Sequence, residues 1–191
     1  MATVLDDHEA IALCRAGDQR AYVVLMERYK HMVHTVTSRV LRNEMDAEEA
    51  TQDVFVRAYH RLSEFQGNAK FSTWLYSIAY RTAISALRRR RDRSTSLDGL
   101  MANGQEPAIA PEGNDSDRKH HLEKALATLP PEDAAMLTMY YLEEMSVAEI
   151  VTVTGLGASN VKVKLHRGRS KLYEALRHQL KDELWTMGSV S

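Results

Sequence analysis

The chain has 191 residues, a formal net charge of −1, 44% hydrophobic and 27% charged residues, and one cysteine. That length accommodates one large domain or two small ones, and that balance describes a folded soluble protein rather than a disordered one. No run approaches the roughly 20 apolar residues of a membrane span, and a lone Cys14 excludes an internal disulfide or a cysteine-rich metal site.

The first residues, "MATVLDDHEA", carry acids where a signal peptide needs a basic start and an apolar run, so a cytoplasmic location is expected. Cys14 reads as a small core residue. Asp6 and Glu9 have the spacing of a capping box, and Gly17 stops the helix they open. From Asp18, apolar residues recur at Tyr22, Leu25, Tyr29, Val33, Val36 and Val40, one face of a long amphipathic helix. Asp46 with Glu49 is the expected cap of a further helix that turns Val54, Phe55, Ala58 and Leu62 inward. After the turn-like residues 66–70, Ser72 is the expected cap of a helix burying Trp74, Leu75, Ile78 and Ala79.

Composition changes abruptly at residue 94. Residues 94–117 hold two prolines, three glycines, five acids and no base, which reads as a flexible acidic linker between two helical domains. The expected organisation is all-α: a domain over 1–93, the linker over 94–117, a second domain over 118–185 and a tail over 186–191. Pro131 begins a helix in the second domain.

The near-zero net charge hides strong segregation. Residues 70–93 carry seven bases against one acid, residues 160–181 carry seven against one, and residues 130–150 carry five acids and no base. Two basic helices on a tether suggest a bipartite polyanion ligand. Arg88, Arg89, Arg90 and Arg91 sweep about 300° of a helix, since each residue advances about 100°. They cannot share one exposed face, so the helix is expected to project beyond its core. A nuclear targeting signal is the other reading of that run.

The second basic segment favours DNA. Ser146 and Glu149 form a capping box for a short helix ending near Thr154, and residues 155–157, "GLG", supply the tight turn of a helix-turn-helix. The next helix begins near Ala158, packs through Val161, Leu165 and Leu172, and leaves Asn160, Lys162, Val163, Lys164, His166 and Arg167 outward. In that arrangement the start of the second helix enters the major groove and its basic flanks contact phosphate.

Two long segments, "DAEEATQDVFVRAYHRLSEFQGNAKFSTWLYSIAYRTAISALRRRR" and "MSVAEIVTVTGLGASNVKVKLHRGRSKL", together resemble a bacterial extracytoplasmic-function sigma factor. The first is similar to sigma region two and the second to sigma region four, in family order and over nearly the whole chain. The resemblance implies two helical domains that bind core RNA polymerase and direct it to promoters by their −10 and −35 elements, without a cofactor. It also implies control by an anti-sigma factor, often membrane-anchored.

By the same resemblance, Asp46, Glu49, Gln52, Asp53, Phe55 and Arg57 match the polymerase-binding positions, with core packing the competing role for Phe55. The residues "FQGNAK" (65–70) match the loop that captures a flipped −10 base, a step costing a few kcal/mol that pocket and stacking must recover. Gln66, Asn68 and Lys70 would contact DNA there. Trp74 and Tyr80 are stacking candidates, with the core the favoured place for Trp74. Arg81, Arg88, Arg89, Arg90 and Arg91 complete the −10 set. Arg81 stands where the family often has asparagine, and Ser85 where it often has aspartate.

Ser159, Asn160, Lys162, Val163, Lys164, Arg167 and Arg169 match the −35-facing positions. Gly157 replaces a usual serine cap at a cost of a few tenths of a kcal/mol, and Gly168 replaces a usual alanine at about 0.5–1 kcal/mol. The acidic linker suits a segment that threads the basic nucleic-acid channel of the polymerase as an RNA mimic. No catalytic constellation assembles, and His8, His120, His121 and His166 lack ligand spacing, so neither enzyme nor metal site is expected. The competing function is a helix-turn-helix activator or repressor that never touches polymerase.

Overall fold

A computed structural model describes residues 5–96 and 114–188. Among them are eight α-helices and no strand: α1 Asp7–Arg15, α2 Gln19–Leu41, α3 Glu44–Arg61, α4 Phe71–Ser96, α5 Asn114–Ala127, α6 Pro131–Tyr141, α7 Val147–Thr154 and α8 Ala158–Gly188. A 3₁₀ turn, Leu62–Glu64, follows α3. The chain divides into two compact units, the first built from α1 to α4 and the second principally from α5, α6 and α8. None of the described helices is long and apolar enough to cross a membrane.

In the first unit α2 packs against α1, α3 and α4, and α3 packs against α4. The stripe on α2 is buried as its periodicity requires: Tyr22, Leu25, Val33, Val36 and Val40 all lie inside, and Tyr29 is half-buried. Opposite it lie Val54, Phe55 and Ala58 of α3 and Leu75, Tyr76, Ala79 and Ala83 of α4. The alanines at these contacts allow close helix approach. Each fully buried leucine, such as Leu25 or Leu75, contributes roughly 1.5–3 kcal/mol. Polar ties run between the same helices: the Tyr22 hydroxyl donates to the Phe55 carbonyl, and the Thr37 and Thr51 hydroxyls lie 2.9 Å apart.

The caps account for most element boundaries and correct two. Asp6 and Glu9 form a reciprocal capping box on α1, and Asp18 caps α2 by accepting from Arg20 N–H. Helix α3 starts earlier than expected, because Asn43 rather than Asp46 is its cap; the Asn43 side chain accepts from Asp46 N–H at 2.9 Å. Asp46 is thereby placed inside the first turn, where its charge favours the positive helix end. Helix α4 begins at Phe71, ahead of Ser72, with the Lys70 carbonyl accepting from Trp74 N–H at 3.1 Å.

The expected linker is partly helical. Residues 94–96 continue α4 and 114–117 open α5, while 97–113 lie outside the described residues. Helix α8 also runs on to Gly188, into the stretch expected as a tail.

In the second unit Leu126, Leu129, Ala134 and Leu137 form a core that Leu122, Leu165 and Leu172 complete. Residues 134–139 of α6 are all buried, so that helix is surrounded for more than a turn. Gly168 has a packing reason: a β-carbon there would sit 3.3 Å from Leu137, so α8 presses on α6 at that point.

Ser146 caps α7 as expected, accepting from Glu149 N–H at 3.2 Å while the Glu149 carboxylate takes the Ser146 N–H at 2.9 Å. Of the two glycines in the following turn only Gly155 is left-handed, with φ at +74°, and Gly157 precedes the first residue of α8. Substituting Gly155→Ala is expected to lower stability by about 1–2 kcal/mol. Gly157→Ser should leave it unchanged or raise it by a few tenths. Urea unfolding of both variants checks the difference.

Candidate nucleic-acid interface and docking groove

Helix α4 buries Leu87 and then exposes every residue from Arg88 to Arg93. The four arginines separate as their 100° steps dictate. Arg88 continues the outward stripe of Arg81 and Ser85, all three exposed. Arg90 turns to α3, where its Nη1 donates to Asp46 Oδ2 at 2.9 Å. Arg89, Arg90 and Arg93 line one wall of a cleft of about 250 Å³ whose other wall is Asp46, Glu49 and Asp53. Arg91 faces the end of α2, and the Arg42 guanidinium there is held below its ordinary range, first by burial and then by the like charges of Arg39 and Arg91. The run is therefore not one patch.

The loop over residues 65–70 exposes Gln66, Asn68 and Lys70, and Asn68 Nδ2 donates to Gln66 Oε1 at 3.2 Å. Beneath it is an aromatic wall: Phe65, Phe71 and Trp74 pack with ring centroids 5.4–5.6 Å apart, and Tyr29 extends the cluster to 5.5 Å from Phe71. Trp74 and Phe65 are half-buried, so each packs inward while part of its surface stays accessible. Arg15 anchors the loop from α1 by donating to the carbonyls of Leu62 and Phe65. Tyr80 does not join this wall. It is 7% exposed and taken up by the bundle, which leaves no ring face for a base.

Helix α3 divides its expected contact residues between two faces. Asp46, Glu49 and Asp53 meet the arginines of α4, and Asp53 also lies 3.7 Å from Arg57 one turn on. Gln52 and Phe55 instead line a groove of about 730 Å³ between α2 and α3. That groove is largely apolar, with Tyr22, Val23 and Met26 on one side and Val56 and Tyr59 on the other. Val23 is 55% and Val56 57% exposed. Sequence reasoning missed both, although valines off the buried stripe of two amphipathic helices were the available signal. Phe55 itself is a buried floor residue.

On α8 the wheel separates cleanly. Val161, Leu165, Gly168 and Leu172 point into the unit, while Ser159, Asn160, Lys162, Val163, His166, Arg167 and Arg169 are exposed. Lys164 stands at the margin between these faces. It is half-buried, and its Nζ donates to Asp133 Oδ1 at 2.9 Å. Ahead of α7, Tyr140, Tyr141 and Leu142 are exposed beside a half-buried Glu143. Burial pushes the Glu143 carboxyl above its ordinary range. Burial and nearby Asp18 do the same to the Cys14 thiol, which makes it a poorer nucleophile. Among the described residues no group of three or more histidine, cysteine or acidic side chains is placed to hold a metal ion.

Comparison with known proteins gives matches over both units. Residues 25–93 match the family described as Sigma-70 region 2, and residues 120–172 match Sigma-70, region 4. The ECF RNA polymerase sigma factor SigW of Bacillus subtilis (strain 168) is 31% identical over 180 residues, covering 88% of this chain and 93% of SigW. The ECF RNA polymerase sigma-E factor of Escherichia coli (strain K12) is 29% identical over 182 residues, 90% and 95% of the two chains. Among solved structures, the sigma factor RpoE in complex with the anti-sigma factor NepR, from Bartonella quintana, superposes with a TM-score of 0.71 at 20% identity, over 80% of this chain and 94% of that one.

The raised Glu143 carboxyl has a measurable consequence. The folded chain holds that proton to higher pH than the unfolded chain, so stability falls as pH rises from the ordinary carboxylate pKa through the raised one. Glu143→Gln is expected to flatten that segment of the pH–stability curve and to raise stability at neutral pH, as read by thermal unfolding across pH 3–8.

Proposed function

The chain belongs to the extracytoplasmic-function sigma factors of the sigma-70 family, and on that premise we propose which surfaces serve promoter-specific initiation. The first unit docks on core RNA polymerase through the α2–α3 groove. Val23, Met26, Gln52, Val56 and Tyr59 offer an apolar patch with polar edges, the composition of a protein interface core. The acids of α3 belong to the rim and to the α4 cleft rather than to the centre of the patch.

The −10 element falls to α4 and the loop over 65–70. An unstacked base gains shelter from Gln66, Asn68 and Lys70 and contact with the half-buried Trp74 and Phe65. Arg81 and Arg88, on the outward stripe, supply phosphate contacts for the adjoining duplex. In the second unit α8 enters the major groove at the −35 element. Ser159, Asn160, Lys162 and Val163 lie in its first two turns, and Arg167 and Arg169 follow.

The observation that supports this reading best is the pair of solvent-facing basic helices, one per unit, each backed by its own apolar core. An anti-sigma factor, membrane-anchored or not, is the proposed regulator, and the same apolar groove is the proposed seat. That regulation is proposed by analogy with the complex of RpoE and NepR. A helix-turn-helix activator needs no exposed apolar groove on a separate unit, so the sigma reading accounts for more of the surface.

Purified core polymerase plus this chain is expected to yield discrete transcripts from genomic promoter fragments, whereas an activator would yield none without another sigma factor. Val56→Glu in the groove should weaken capture of core polymerase at least tenfold, about 1.4 kcal/mol, while thermal unfolding stays near wild type. Arg88→Ala should lower the slope of log affinity against log salt for holoenzyme and promoter by about 1. Arg90→Ala should change it less, because Asp46 already holds that guanidinium.

A further inference from the structure

Lys164 lies within the basic run of α8 and matches a DNA-facing position, yet its geometry sets it apart from its neighbours. Its side chain is 31% exposed, and that of its partner Asp133 only 14%. Asp133 sits in the first turn of α6, behind Pro131 and next to the fully buried stretch that begins at Ala134. A carboxylate so shielded is screened little by salt, and it loses much if the cation paired with it leaves. Around α8, Lys164 falls on the same side as Gly168, one turn later, where α8 presses on Leu137 of α6. The ion pair thus lies one turn nearer the start of α8 than this close contact.

We propose that Lys164 is a positioning residue. Its pair with Asp133 holds the first two turns of α8 against α6 and thereby sets the depth at which Asn160, Val163 and Arg167 meet the bases, instead of neutralising a phosphate. The proposal rests on the reading of α8 as the DNA-entering helix. The two roles of Lys164 predict opposite signs for a substitution on the other helix. If Lys164 served phosphate, Asp133 would compete with DNA for it, and Asp133→Asn would leave promoter affinity unchanged or tighten it. If Lys164 positions α8, Asp133→Asn weakens promoter binding as Lys164→Gln does.

The experiment uses the full chain assembled with core polymerase and a promoter fragment selected by the wild-type holoenzyme. Dissociation constants are measured over a salt series for Asp133→Asn, Lys164→Gln, their combination, Lys164→Arg, and the exchanged pair Asp133→Lys with Lys164→Asp. Each single neutral variant should weaken binding about threefold to tenfold, with the double variant no worse than either single one. The salt slope should not move, Lys164→Arg should retain wild-type affinity, and the exchanged pair should recover part of the loss. Thermal unfolding of each variant identifies any that fail to fold, and the exchanged-pair result then stands on its own.

Asp133→Asn with unchanged or tighter binding, or a salt slope lowered by about 1 in Lys164→Gln, would overturn the proposal. Lys162→Gln and Arg167→Ala serve as references. If neither altered promoter binding, the reading of α8 itself would fail, and this proposal with it.

Discussion

Burial of the α2 stripe against α3 and α4 decides what the first unit can do. Leu25, Val33, Val36 and Val40 are shielded from solvent, and the helices that cover them must turn their remaining faces outward. On α3 the outward faces are two. One carries Gln52, Val56 and Tyr59 toward the groove with α2, and the other carries Asp46, Glu49 and Asp53 toward α4. On α4 the outward stripe carries Arg81 and Arg88. An apolar groove and a basic stripe, the surfaces proposed for polymerase and for DNA, thus arise from one packing solution, separated by the angular steps of the helices rather than by distance along the chain. In the second unit the equivalent constraint is α6. Its buried segment receives α8 through Leu165, Gly168 and Leu172, and the described basic residues of α8 other than Lys164 face out.

Charge is arranged to be partly self-satisfied. A near-neutral chain with two strongly basic helices would repel itself locally if every base were solvent-facing. Arg90 with Asp46 and Lys164 with Asp133 each relieve that repulsion within their own unit. Both pairs join a basic helix to a neighbour that is not one. The first is half-exposed, the range in which ion pairs contribute about 0–1 kcal/mol, and the second is more shielded. Arg91 adds its charge beside Arg42 at the end of α2, so the arginine run meets three environments, not one.

Much of the fold was legible because helix periodicity and capping are local. The α2 stripe, the capping boxes on α1 and α7 and the glycine turn before α8 all follow from residues within one or two turns of each other. The misplaced cap on α3 is local too. Asp46 and Glu49 have the right spacing, but Asn43 presents its amide oxygen three residues earlier and wins. Other features were hidden because they depend on tertiary partners far away in sequence. Nothing near Arg90 announces Asp46, nothing near Lys164 announces Asp133, and the burial of Tyr80 depends on helices it does not adjoin in the chain. Gly168 reads as a helix defect from its neighbours in sequence, whereas in the fold Leu137 packs against it.

The central proposal is that separate surfaces serve separate macromolecules: the apolar groove of the first unit meets polymerase, and the basic helix of each unit meets promoter DNA. Site-specific photocrosslinking in the assembled holoenzyme–promoter complex tests it most directly, with one probe at Val56 and another at Val163. The account predicts that the Val56 probe attaches to a polymerase subunit and the Val163 probe to DNA around the −35 element. Attachment of the Val56 probe to DNA, or of the Val163 probe to polymerase alone, would contradict it.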